Sequence, residues 1–436
     1  MAIYNADLNA YLLEEGEEVF TPANQDDTPL KVIGNALANI ISGSNGDDTL
    51  DGGSGADVLS GGIGDDTYIV DNSSDKVVEQ ADEGYDTVIA SVNYNIGPNN
   101  GIEALIAAEG SDSLVLVGNG LDNLIVGSNG HDTLNGGVGA DVMIGGSGDD
   151  VYIVDNSGDK AVETADGGFD TIVTTANYAL GPNAGIEVLR AAESVQTGLA
   201  LTGNAFANLI IGGMGHDTLN GAGGADTMQG GAGNDRYIID NLNDWAVESI
   251  GSGNDTAVVS VANYDVTRLK NIESVVLVGA AIGNTGGSVS VTGSSGKFTF
   301  QGGTKKETIK GTIGNDKIAG GLGNDVLMGG RGKDTFAFNT KLDKKLNVDS
   351  IRDFSVRDDS ISLAHGVFKT IKKMGTLSAS EFRIGTKALD GNDHILYNRA
   401  TGKLYYDADG SGKGAAIHFA TVGAHLSLTN KDFFLV

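Results

Sequence analysis

The chain has 436 residues, with 67 glycines, 4 prolines and no cysteine. Without cysteine there are no disulfides, thiolate metal sites or thiol nucleophiles. So few prolines exclude a collagen-like helix, which also needs glycine at every third position. Acidic residues number 58 against 28 basic, a net charge of −30, which opposes binding to nucleic acid or an anionic membrane through the bulk field. Aromatic residues are 6 % of the chain, so a core of small aliphatic side chains is expected.

Residues 1–33 are acidic and too short for a catalytic domain, and read as a cap on the first coil or an interaction arm. The opening MAIYNADLNAYLLEEGEEVF has neither the basic start nor the apolar run of a secretory signal. No apolar stretch reaches the length of roughly 18 residues that a membrane-spanning helix needs.

From Gly34 a long unit recurs. GNALANIISGSNGDDTL begins there, GNGLDNLIVGSNGHDTL begins at Gly118 and GNAFANLIIGGMGHDTL begins at Gly203. A divergent fourth unit begins near Gly293. The units are read as 34–117, 118–202, 203–292 and 293–336, followed by a cap over 337–436.

Within each unit runs a nine-residue period, G-G-x-G-x-D-x-U-x, with U apolar. Its sixth position holds Asp48, Asp57 and Asp66, then Asp132, Asp141 and Asp150, then Asp217, Asp226 and Asp235, and finally Asp316, Asp325 and Asp334. The x-U-x triplet alternates polar and apolar, which suits a three-residue strand with one inward side chain. The glycines tolerate positive φ and allow tight reversals. Two strand-turn pairs make a flattened coil of 18 residues, and stacking brings aspartates above one another at about 4.8 Å. Carboxylates at that spacing repel unless a hard cation lies between them. Donor sets made only of oxygen favour calcium over zinc or copper.

With twelve aspartates in phase, the sequence resembles the RTX family, the calcium-binding β-roll proteins of Gram-negative bacteria. The resemblance implies an all-β fold: a right-handed parallel β-roll, or β-solenoid, of RTX nonapeptides closed by a β-rich C-terminal cap. Pairing turns two repeats apart under the family's six-oxygen scheme gives roughly eight calcium ions.

Each unit opens on a degenerate nonapeptide. Asn39, Asn123 and Asn208 replace the aspartate and still offer a carbonyl oxygen, whereas Phe298 offers none and Glu307 follows it. The spacers keep strand-like apolar runs and read as wider coils of the same solenoid. They carry Asp86, Asp170 and Asp255 in G-x-D-T or N-D-T sequences. These aspartates are either further ligands or turn residues bonding their own backbone.

The C-terminal tract resembles the cap that follows the β-roll in RTX proteases, through DTFAF at 334–338 and VDSIRDF at 348–354. Asp349 and Asp353 are candidates to hold one more calcium. Asp407, Asp409 and Ser411 resemble the start of an EF-hand loop, but His418 stands at its twelfth position and no helix flanks it. A glycine-rich hairpin is expected instead. The chain ends Asp432-Phe-Phe-Leu-Val436, which resembles the C-terminal signal of RTX proteins exported by type I secretion machinery.

No HExxH, G-x-S-x-G or Walker A motif occurs. His131 and His216 stand at variable turn positions and read as solvated. The expectation is a secreted, non-enzymatic, calcium-folded component of the cell surface or matrix, with a role in a surface layer, adhesion or biofilm. The competing readings are a glycan-active β-solenoid enzyme and a membrane-active RTX protein. Residues 1–292 carry 43 acidic and 7 basic residues and 293–436 carry 15 and 21. Lys341, Lys344, Lys345, Lys369, Lys372 and Lys373 cluster in the basic part. They suggest head-to-tail self-association, or docking on an anionic surface polysaccharide.

Overall fold

The computed structural model describes residues 2–261, 264–265, 268–277, 288–290 and 298–436. The expected start of the fourth unit near Gly293, and with it the 292/293 boundary, lies outside the described residues. The chain forms two compact units, Met1–Gly213 and Met214–Val436.

The x-U-x triplets form the predicted short strands. Thr49–Asp51 and Val58–Ser60 each bury only their central residue. Strands in the same position of successive coils pair in parallel, so the buried residues stack into columns. One column of the first unit runs Val32, Leu50, Tyr68, Val88, Leu105, Ile125, Met143 and Ala161. Facing columns run Ile41, Leu59, Val77 and, further along, Leu116, Leu134, Tyr152, Ile172, Leu189, Ile210. Val88 and Leu105 come from the spacer strands Thr87–Ala90 and Ala104–Ala107. That spacer is therefore wider coils of the solenoid, as expected.

The second unit stacks Leu219, Tyr237, Ala257, Val275, Phe300, Ile318, Phe336, Ile361 and Phe433. Here the core departs from the aliphatic expectation. Tyr68, Tyr152, Tyr237, Phe300, Phe336 and Phe433 are among the largest fully buried side chains. The aromatics are few but are concentrated in the columns, where each covers a large apolar area.

Reversal between strands rests on glycines that no other residue replaces without strain. Gly62 and Gly64 have φ of +101° and +128°, and a Cβ on Gly64 would stand 2.7 Å from the Gly46 carbonyl carbon of the coil below. Close stacking of turns is thus built into the fourth position of the nonapeptide.

Both ends of the chain cover sheet edges, which would otherwise expose unpaired backbone groups. Ile3–Asn5 and Ala10–Leu12 form an antiparallel hairpin whose second strand joins Lys31–Ile33. At the other terminus Phe433–Leu435 lies parallel to Ser360–Leu363, with Gly375–Thr376 antiparallel outside it. Phe338, Phe368, Phe419 and Tyr406 pack edge to face, with ring centroids 5.0–5.4 Å apart.

Candidate metal-binding turns

The aspartates form ladders along the turn edges. The Oδ1 of each accepts a hydrogen bond from a backbone N–H one coil earlier: Asp66 from Asp48 at 2.6 Å, Asp57 from Asn39 at 2.6 Å, and Asp150 from Asp132 at 2.7 Å. The same link joins Asp141 to Asn123, Asp235 to Asp217, Asp334 to Asp316 and Asp325 to Glu307. Asp132 accepts from Leu114, and Asp316 from Phe298. One carboxylate oxygen is thus used to hold the stack.

The second oxygen has two fates, and the residue at the second position of the nonapeptide decides between them. In eight turns this residue is a glycine with φ between +69° and +110°, and seven of these, those of Gly53, Gly62, Gly137, Gly146, Gly231, Gly321 and Gly330, share one outcome. In those turns Oδ2 of Asp57, Asp66, Asp141, Asp150, Asp235, Asp325 and Asp334 is buried without a partner. Where serine or threonine stands there instead, its own N–H turns inward. Ser44 N–H donates to Asp48 Oδ2, Ser128 N–H to Asp132 Oδ2 and Thr312 N–H to Asp316 Oδ2, at 2.5–2.6 Å. Asp217 and Asp226 are also buried, at 1 % and 0 % exposure, and Asp226 N–H donates to Asp244.

The asparagines at the head of each unit behave like the second class. Asn39, Asn123 and Asn208 accept through Oδ1 from the N–H of Asn35, Asn119 and Asn204. Their amide nitrogens donate to Glu17, Ile102 and Ile186 carbonyls of the preceding coil. Phe298 is buried with no oxygen to give, and Glu307 places a buried, unpartnered Oε1 in its turn.

The spacer aspartates belong to the ladders and do not bond their own turns. Asp86, Asp170 and Asp255 accept from Asp66, Asp150 and Asp235 N–H at 2.8–2.9 Å, and each keeps an unpartnered Oδ2. Asp349 and Asp353 are not brought together. They flank the strand Asp349–Ile351, one at each turn. Asp349 accepts from Asp325 N–H, whereas Asp353 accepts from Gly329 and Gly330. A strand separates them, so they do not share one ion. The Asp407–Gly414 loop links two antiparallel strands as a hairpin, with Gly414 N–H donating to Asp409.

Three sets of ladder residues escaped the sequence reading. Asp75, Asp159 and Asp244 follow Asp57, Asp141 and Asp226 by 18 residues and accept from their N–H. Glu103, Glu187 and Glu273 accept from Asp86, Asp170 and Asp255 at 2.8 Å. Asp359 accepts from Asp334. The 18-residue interval was the available signal for the first set. Glu103, Glu187 and Asp359 sit at altered intervals, and Glu273, 18 residues after Asp255, lacks the glycines that mark a turn.

Burial makes these carboxylates hard to ionise. It pushes Asp57, Asp141 and Asp150 up to about 6, Asp86, Asp170 and Asp334 to about 7, and Asp66 to about 8. Neighbouring carboxylates push the same way, because like charges disfavour the ionised form. Glu307, Asp325 and Asp349 form one such mutually repelling stack, each raised chiefly by burial. Buried, unpartnered oxygens facing turn backbone are a donor set for a hard divalent cation. The chain has no cysteine and so no thiolate donor, and the ladder donors are oxygens.

Residues 33–68, 117–152, 202–237 and 301–336 each match the RTX calcium-binding nonapeptide repeat. Four such blocks on stacked parallel strands fit an RTX β-roll protein, and the unpartnered oxygens of Asp57, Asp66, Asp141, Asp150, Asp235, Asp325 and Asp334 lie within the matched repeats. No curated protein matches the chain.

Proposed function

We propose that this is an exported calcium-binding protein that folds when it meets calcium outside the cell and then serves a non-enzymatic, structural role at the cell surface or in the matrix. The observation that carries the reading is the row of buried aspartate oxygens without partners. A buried unpaired carboxylate is costly, so the stack needs either protons or cations. Bound calcium supplies the positive charge that lets both oxygens of each aspartate stay ionised in the stack. About eight ions is the occupancy expected from turns paired two repeats apart.

At cytosolic calcium, far below the ~10⁻⁴–10⁻³ M range of extracellular modules, residues 1–292, with 43 acidic and 7 basic residues, repel one another and stay unfolded. That state suits passage through a type I export channel. The folded tail supports the same order of events: Phe433 and Leu435 are buried in a sheet, and Asp432 closes a capping box with Thr429. A signal in residues 432–436 is therefore readable only before folding. Among the described residues no helix is long and apolar enough to cross a membrane.

For assembly, the six cap lysines are exposed. Lys341 and Lys369 border one open groove of about 500 Å³ with Tyr406 and Ile417, suited to an anionic group from a surface polysaccharide or an acidic rod of a second copy. The decisive experiment is circular dichroism of the full chain in chelator and then in millimolar calcium. A coil spectrum that becomes β on calcium addition is expected, and no change would falsify the switch. Reversing the lysine charges should abolish calcium-dependent light scattering or polysaccharide capture. If it alters neither, docking through this face is wrong.

A further inference from the structure

At the end of the first repeat block a third carboxylate enters the ladder. Glu79 stands 18 residues after Gly61, at the place where a turn would open with glycine. Its side chain reaches back into the turn below. Oε1 accepts from Gly61 N–H at 2.8 Å, from Gly62 N–H at 3.3 Å and from the Tyr68 hydroxyl. Tyr68 Oη in turn accepts from Gly61 N–H at 2.7 Å. This fixes one oxygen and aims the other, Oε2, inward, where it is buried without a partner. Glu79, Asp66 and Asp86 are 5 %, 1 % and 0 % exposed, and all three have one unpartnered oxygen. One oxygen from each lies within 4.8 Å of the others.

The second unit repeats the arrangement with Asp150, Glu163 and Asp170, again within 4.8 Å. Tyr152 donates to Glu163 Oε2 at 2.6 Å, Thr164 N–H donates to its Oε1 at 2.8 Å, and Asp150 and Asp170 keep unpartnered Oδ2 atoms. The third unit has the same letters, Tyr237 and Glu248, but a different outcome. Ser252 stands where the first units have Glu83 and Gly167, and its hydroxyl donates to Glu248 Oε2 at 2.9 Å. Ser249 N–H donates to the same oxygen at 3.3 Å. Among the described residues, Glu248 does not converge with Asp235 and Asp255 within that distance.

We propose that Asp66, Glu79 and Asp86, and likewise Asp150, Glu163 and Asp170, form two tricarboxylate sites for a divalent cation, in which a glutamate joins two ladder aspartates. In the third unit the Ser252 hydroxyl holds Glu248 Oε2, and no such set forms among the described residues. The proposal rests on the calcium reading above. It adds glutamates that the nonapeptide pattern does not contain, and an order of filling. Affinity at oxygen sites rises with the number of charged ligands, so the two triads fill before the remaining turns.

Native mass spectrometry of the full chain in excess calcium tests the glutamates. Glu79→Gln and Glu163→Gln should each lose one bound ion and the double variant two, with Glu248→Gln unchanged and the β spectrum retained. An unchanged ion count in the double variant overturns the proposal while leaving the calcium reading intact. A wild-type chain that takes up no calcium removes that reading, and the triads with it. If the double variant does not fold, terbium added to two ions per wild-type chain gives a second readout. Tyrosine-excited emission that Tyr68→Phe and Tyr152→Phe together abolish supports the sites. Emission that survives both substitutions overturns them.

Discussion

Two consecutive turns on one edge, Gly43–Asp48 and Gly61–Asp66, share the same nonapeptide frame and the same ladder, yet their carboxylates live differently. In the first, Ser44 donates its N–H to Asp48 Oδ2 at 2.5 Å and its hydroxyl bonds the same carboxylate. In the second, Gly62 adopts φ +101° and Asp66 Oδ2 is left bare. A left-handed glycine carries its N–H away from the aspartate, a conformation that a side chain opposes. The second residue of the repeat therefore sorts turns into those that satisfy themselves and those that wait for a cation.

The most severe way to break this contrast is Gly61→Ala. A Cβ there would overlap Asp66 Oδ2 and the Tyr68 hydroxyl. A cost of about 3 kcal/mol or more is expected for such overpacking, read as a higher calcium midpoint for folding, and a wild-type midpoint would show that the turn interior is not as tight as drawn.

Acid should substitute for metal in the bare turns. Asp66 is raised to about 8 and Asp86 and Asp334 to about 7, against about 3.9 unfolded. The folded state then holds more protons than the unfolded one between about pH 4 and 8, so metal-free stability falls as pH rises through that window and levels off above it. Metal-free chain should gain β signal near pH 4–5, with calcium uptake releasing protons at pH 7 but few at about pH 9. A metal-free spectrum flat across that range would contradict the burial of these groups.

Ser44→Gly sharpens the comparison from the other side. It frees Asp48 Oδ2 and removes a hydroxyl bond, with a loss of about 1 kcal/mol of metal-free stability and a steeper calcium dependence of folding. A fold no more dependent on calcium than wild type would show that the second position does not control the turn. The smallest change is Ala222→Gly. Ala222 holds φ +59° at that same second position, so glycine should add about 1 kcal/mol or less, measured as a slightly lower calcium midpoint. Destabilisation would mean that the alanine is not strained.

The aspartate register was legible because glycine spacing and apolar period agree across four blocks, each level pointing to the same coil. Residues such as Asp75, Asp159 and Asp244 were not, since the D-N-x-x-D turns that carry them lack the glycine signature, and only stacking shows that they continue the ladder. Asp349 and Asp353 looked like one site because they stand four positions apart, but a strand with opposite turns lies between. The aromatic core was misjudged from a chain-wide average, which says nothing about where a few large residues stack.

The amino-acid sequence by itself determined the coil length, the strand-turn alternation and the oxygen-only chemistry of the turns, because these follow from local periodicity and residue type. Only the tertiary structure decided which oxygen of each carboxylate holds the stack, which is left bare, and where Glu79 and Glu163 enter. Those outcomes depend on contacts with the coil above or below, some 18 to 20 residues away along the chain, and on whether one backbone N–H faces in or out.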